Sequence, residues 1–156
     1  AFENNVFIKS IGEYALNKCR SLKEIAIHSS VTEIGNYAFN ECKSMTQVTI
    51  PSSVTSIGDY AFSECSSLTQ VTVPSLVTTI GDNALYGCSS LTQVTIPSSV
   101  TSIGGYTFEG CSSLTQVTIP SSVTKIGDYA KAYHKSFPFD FKWESCLHRN
   151  EIINIK

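Results

Sequence analysis

Apolar and polar positions alternate along this chain on a short scale. In Leu68-Thr69-Gln70-Val71-Thr72-Val73 the last four residues alternate with period two, which predicts a half-buried strand. Pro74 ends it, because proline cannot donate to a strand ladder. Val77-Thr78-Thr79-Ile80 predicts a second short strand, closed by Gly81, a residue that takes a positive φ or admits close backbone approach. The stretch Asp82-Asn83-Ala84-Leu85-Tyr86-Gly87-Cys88 then reads as a single helical turn, with Asp82 able to cap it and Ala84 and Leu85 facing inward.

The longer scale is a repeat of 23 residues. Cys19, Cys42, Cys65, Cys88 and Cys111 are related by that step, as are Leu22, Met45, Leu68, Leu91 and Leu114. So are Val31, Val54, Val77, Val100 and Val123, and the Ile-Gly pairs that begin at Ile11, Ile34, Ile57, Ile80, Ile103 and Ile126. One such unit cannot bury its own apolar residues and must stack on copies of itself. The expected result is a repeat solenoid, mainly β: a right-handed coil of short parallel strands and short helical turns, with equivalent residues about 4.8 Å apart. Leu/Met, Val, Ile, Ala, Phe and Cys form the inward columns, and Thr, Gln and Ser the outward ones.

The pattern L-x-x-[IV]-x-[IV]-P-x-x-[VL]-x-x-I-G-x-x-A-F-x-x-C resembles the BspA-like class of leucine-rich repeat, a family of bacterial and protist surface proteins, over residues 8 to about 130. His28 replaces the proline of the first full unit, Leu85 the Phe, Thr107 the Ala and Gly105 the Asp. The resemblance implies a leucine-rich-repeat-like solenoid that acts as a non-catalytic protein-interaction or adhesion module, at the cell surface or secreted. It supplies no catalytic residues. The alternative is an intracellular scaffold or regulatory segment of a longer protein.

The array is expected over residues 1–130, with a partial rung at 1–21, full repeats from 22, 45, 68 and 91, and a partial one from 114. Phe2 and Ile8 match Ile25 and Val31, so the first rung starts without a visible cap, and its open strand edges predict self-association. Residues 131–156 lose the pattern. Phe137-Pro138-Phe139-Asp140-Phe141-Lys142-Trp143 reads as a degenerate last rung whose aromatics cover the core.

Composition narrows the function. The 156 residues include 23 Ser and 15 Thr, while 15% are charged and the net charge is −2. That offers no electrostatic case for nucleic acid. The longest apolar runs are three or four residues, too short to insert in a membrane. Residues 45–124 contain no Lys or Arg. The chain begins at Ala1 with no initiator Met, as a fragment or processed form would.

Candidate chemistry is sparse. The cysteine column lies within disulfide reach from rung to rung, but its side chains are expected to run parallel rather than toward one another. Spacings of 23 match no zinc motif, so the column reads as buried structural positions, with Cys146 a separate thiol. His28, His134 and His148 occupy unrelated repeat positions and form no triad or ligand set. No phosphate-binding or metalloprotease motif occurs, and neither cofactor nor metal is expected. Tyr14, Tyr37, Tyr60, Tyr106 and Tyr129 form a column read as rung-on-rung packing. The candidate ligand face is the outward sheet column of Gln47, Gln70, Gln93 and Gln116 with Thr49, Thr72, Thr95 and Thr118. Its partner is expected to be a protein.

Overall fold

The computed structural model describes residues 8–127 and 152–154. Each full rung contributes two short strands. One set, β1 (Ser10–Ile11), β3 (Glu33–Ile34), β5 (Ser56–Ile57), β7 (Thr79–Ile80), β9 (Ser102–Ile103) and β11 (Lys125–Ile126), forms a continuous six-stranded sheet in that order. All its pairs are parallel and in register at the repeat step, as in Ile34↔Ile57 and Ile57↔Ile80. The other set is β2 (Glu24–Ala26), β4 (Gln47–Thr49), β6 (Gln70–Thr72), β8 (Gln93–Thr95) and β10 (Gln116–Thr118). Its parallel pairing is discontinuous: β2 pairs with β4 and β6 with β8, as separate two-stranded sheets.

The β10 strand pairs instead with β12 (Ile152–Asn154), antiparallel, with Val117 opposite Ile153. A strand from the C-terminal segment thus covers an edge that would otherwise offer unpaired N–H and C=O groups. The aromatic cap expected at Phe137–Trp143, the start of the first rung at Phe2, and Tyr129, His134, Cys146 and His148 lie outside the described residues.

The core is the set of inward columns. Met45, Leu68 and Leu91, then Val54, Val77 and Val100, and Ala38, Ala61 and Ala84 are fully buried. Phe39 and Phe62 stack at 5.1 Å between ring centroids with planes 2° apart. Identical residues one rung apart meet as like shapes, so one unit's packing solution is reused along the array. At Thr107 the buried hydroxyl that replaces alanine donates to the Gly104 carbonyl at 2.6 Å, which satisfies it.

The described connections that follow the Ile-Gly pairs are not helical, which corrects the expectation of a helical turn; no helix occurs among the described residues. In the third rung the N–H groups of Ala61, Ser63 and Cys65 bond three residues back, to Gly58, Tyr60 and Phe62. The intervening N–H groups of Tyr60, Phe62 and Glu64 leave the rung and bond the carbonyls of Asp82, Ala84 and Tyr86 on the next. Tyr60 and Glu64 hold φ at 57° and 59°, where a right-handed helix cannot continue. The segment is a run of tight turns that doubles as a third hydrogen-bonded ladder.

Capping is corrected as well. The Asp82 side chain does not cap its own turn; its Oδ1 accepts the backbone N–H of Gly105, one rung on, at 2.8 Å. Gly81 supplies close approach rather than a positive φ. A Cβ there would stand 2.6 Å from the Asp59 backbone nitrogen, closer than real Cβ atoms come.

Candidate functional site

Strand alternation places the Gln and Thr columns outward. On β4, β6 and β8 the residues Gln47, Thr49, Gln70, Thr72, Gln93 and Thr95 are exposed, while Val71 and Val94 between them are buried and Val48 is half-buried. Thr118 is exposed on β10. Gln116 shares the register of the column, opposite Asn154 of β12. The face is divided between β4 and β6, so Gln70 and Gln93, and Thr72 and Thr95, are direct neighbours on one pair while Gln47 belongs to the other. Over β8 and β10 a shallow depression of about 560 Å³ is lined by Thr92, Gln93, Thr95, Thr115 and Thr118.

The polar columns differ in what their side chains already do. Thr46 and Thr92, at the head of their strands, donate their hydroxyls to the Lys23 and Thr69 carbonyls of the preceding rung. Thr55, Thr101 and Thr124 do the same toward Thr32, Thr78 and Thr101. These threonines lace the rungs together. Among the described residues, Gln47, Gln70 and Gln93 and their partners Thr49, Thr72 and Thr95 form no side-chain hydrogen bond.

The cysteine column lies inside. Cys42, Cys65, Cys88 and Cys111 are buried and Cys19 is half-buried; all five are free thiols. Each buried thiol donates to a carbonyl of the preceding rung, for example Cys65 to Phe39 O at 3.2 Å and Cys88 to Phe62 O at 3.1 Å. Burial pushes the Cys42 thiol up to about 11 and the Cys111 thiol up to about 12, and raises Cys65 and Cys88 as well. Burial out of water disfavours the thiolate that nucleophilic attack and metal ligation require.

Tyr14, Tyr37 and Tyr60 stack rung on rung, at 4.7 Å and 4.6 Å between centroids. Burial in that stack raises the Tyr37 hydroxyl pKa, reinforced by Tyr60, Tyr14 and the nearby carboxylates of Asp59 and Glu13. His28, in the proline position, has its ring Nδ1 2.7 Å from Ser30 Oγ, as part of a turn. Among the described residues no group of three or more His, Cys, Asp or Glu is placed to hold a metal ion, and no helix is long and apolar enough to cross a membrane.

One surface escapes sequence reasoning. A groove of about 640 Å³ follows the six-stranded sheet, and its lining includes Glu13, Glu33, Asp59, Asp82 and Lys125. Its elements come from different parts of the repeat, the second strand and the turn after Ile-Gly. The available signal is the polar column Asn36, Asp59 and Asp82, always one residue past Ile-Gly.

The fold has close counterparts. A Treponema pallidum leucine-rich repeat protein is 27% identical with a TM-score of 0.74, over 80% of this chain and 65% of that one. A leucine-rich cell surface protein of Faecalibacterium prausnitzii is 35% identical with a TM-score of 0.56, over 79% and 40%. A leucine-rich repeat protein of Bacteroides ovatus is 29% identical with a TM-score of 0.52, over 85% and 47%. The chain therefore spans 40–65% of the length of these proteins. No curated protein matches it in sequence. The family model for the BspA-type leucine-rich repeat region matches six copies over residues 9–137. With those copies covering most of its length and its rungs stacked in one parallel register, the chain belongs to the BspA-type leucine-rich repeat family.

Proposed function

We propose that this array is a non-catalytic protein-interaction module, carried at a cell surface and suited to adhesion, with the Gln–Thr sheet face as its ligand contact. The observation that carries the reading is the contrast between the polar columns. Thr46, Thr92 and the Thr55 column are engaged between rungs, whereas Gln70, Gln93, Thr72 and Thr95 present exposed, unengaged amides and hydroxyls. Regular polar ladders on a solenoid sheet are usual partner surfaces. The Faecalibacterium relative is described as a cell surface protein, which supports the location.

The test is a pull-down with the array as bait, comparing wild type with a Gln70→Lys/Gln93→Lys/Gln116→Lys variant. A protein partner captured by wild type and lost by the folded variant supports the reading; an unchanged set of captured proteins overturns the face assignment. The free thiols of the cysteine column favour a second reading, an intracellular scaffold within a longer protein, because unpaired cysteines suit a reducing compartment. Protease treatment of intact cells separates the two. Surface display predicts cleavage, and complete protection favours the scaffold.

A further inference from the structure

The groove along the six-stranded sheet is separate from the Gln–Thr face and has its own chemistry. Its floor is the glycine column from Gly35 to Gly127, bare backbone because each rung sits too close to the last for a Cβ. Among the described residues four carboxylates line it, those of Glu13, Glu33, Asp59 and Asp82, and one ammonium, that of Lys125, toward the C-terminal end. Among the described residues the one ion pair is Arg20 with Glu41, outside the groove, so none of these carboxylates has a cationic partner there. The Tyr14–Tyr37–Tyr60 stack follows the lining positions Glu13, Asn36 and Asp59 by one residue in each rung, and Asp59 and Glu13 act electrostatically on Tyr37. Tyr14 is 52% exposed and offers an apolar shelf for the aliphatic stem of a long side chain.

We propose that this groove binds an extended, basic segment of a protein partner, with Lys or Arg side chains facing Glu33, Asp59 and Asp82. Length supports an extended occupant. Four rung steps of about 4.8 Å give about 19 Å, the span of about six residues in strand conformation. The glycine column along the floor admits a backbone closely, and the carboxylates supply the charge complementarity that selects the partner. Lys125 disfavours a base at the C-terminal end of the groove.

The repeat itself supplies the variant. At the Asp59 position the preceding rung carries Asn36, whose Oδ1 accepts the Asp59 N–H at 2.8 Å just as Asp59 Oδ1 accepts that of Asp82. Asp59→Asn and Asp82→Asn therefore remove charge while keeping the rung-to-rung acceptor. The probe is a fluorescein-labelled nine-residue peptide of alternating Arg and Ser, with a Glu–Ser peptide as control, read by anisotropy. Wild type is expected to bind the basic peptide, more weakly as salt rises, and to ignore the acidic one. Asp59→Asn/Asp82→Asn is expected to lose at least tenfold in affinity with an unchanged melting curve, and Gln70→Ala/Gln93→Ala to bind as wild type does. No binding by wild type, equal binding of the acidic peptide, or full affinity in the Asp59→Asn/Asp82→Asn variant would overturn the proposal. So would loss confined to the Gln70→Ala/Gln93→Ala variant. The Gln-face pull-down can fail or succeed independently of these outcomes, because it changes none of the groove carboxylates.

Discussion

The carboxylate of Asp59 accepts the backbone N–H of Asp82, its equivalent one rung on, at 2.8 Å, and Asp82 repeats the contact toward Gly105. A polar side chain here is part of the spine of the solenoid, not a solvated ornament. Truncation and neutralisation should therefore differ. Asp59→Ala is expected to lower stability by about 1 kcal/mol through the lost charge-assisted bond. Asp59→Asn should stay within about 0.5 kcal/mol, since it keeps the acceptor. Urea unfolding of the two variants checks the difference, and equal losses would place the effect elsewhere.

Glycines at equivalent repeat positions should respond unequally. A Cβ on Gly81 would press on the backbone of the preceding rung, whereas one on Gly12, in the first described rung, meets nothing within 4 Å. Gly81→Ala is expected to cost at least the ~1–3 kcal/mol typical of overpacking. Gly12→Ala should be neutral or stabilising by up to about 1 kcal/mol, from reduced freedom of the unfolded chain. Thermal melts of both variants decide it.

The thiol ladder predicts an alkaline weakness. Burial raises the folded-state pKa of Cys42, Cys65, Cys88 and Cys111 above the unfolded value. Above about pH 8.5 the unfolded chain loses these protons while the folded chain keeps them, so their contribution falls as pH rises and is intact below that point. Cys88→Ala is expected to lose about 1 kcal/mol at pH 7.5. It should also fall less steeply than wild type above pH 8.5, by about 1.4 kcal/mol per pH unit. Urea midpoints at pH 7.5, 9 and 10 report both, and parallel curves would count against a titrating ladder. In the folded state at pH 8, Cys19 is expected to react with iodoacetamide before the four buried thiols, which unfolding should release together.

The inward columns were legible because burial repeats at every step: Leu68 and Leu91, or Val77 and Val100, have the same environment one rung apart. The turns were not. Their shape depends on positive φ at Tyr14, Tyr37, Tyr60 and Tyr106 and at Lys18, Glu41 and Glu64, residue types with no preference for that region. Only Asn83, at the tyrosine position, and Gly87 and Gly110, both at the Glu64 position, hinted at it. Local pattern therefore suggested a helical turn, and contact with the neighbouring rung prevailed. The division of the Gln–Thr sheet and the pairing of β10 with β12 were also hidden, since identical units carry no mark of where pairing stops. The groove was hidden for another reason. Glu33 and Asp59 lie 26 residues apart in sequence and line one surface only after stacking.

The rungs are interchangeable units held by neighbour contacts, and excising one of them puts that to the test. Deleting residues 68–90 joins Ser67 to Leu91 in repeat register and preserves every inward column. Far-ultraviolet circular dichroism during heating is the measurement. A folded, shorter array is expected, with the same spectral shape per residue and one cooperative transition at lower temperature. A variant with no transition, or with the spectrum of an unfolded chain, would contradict it.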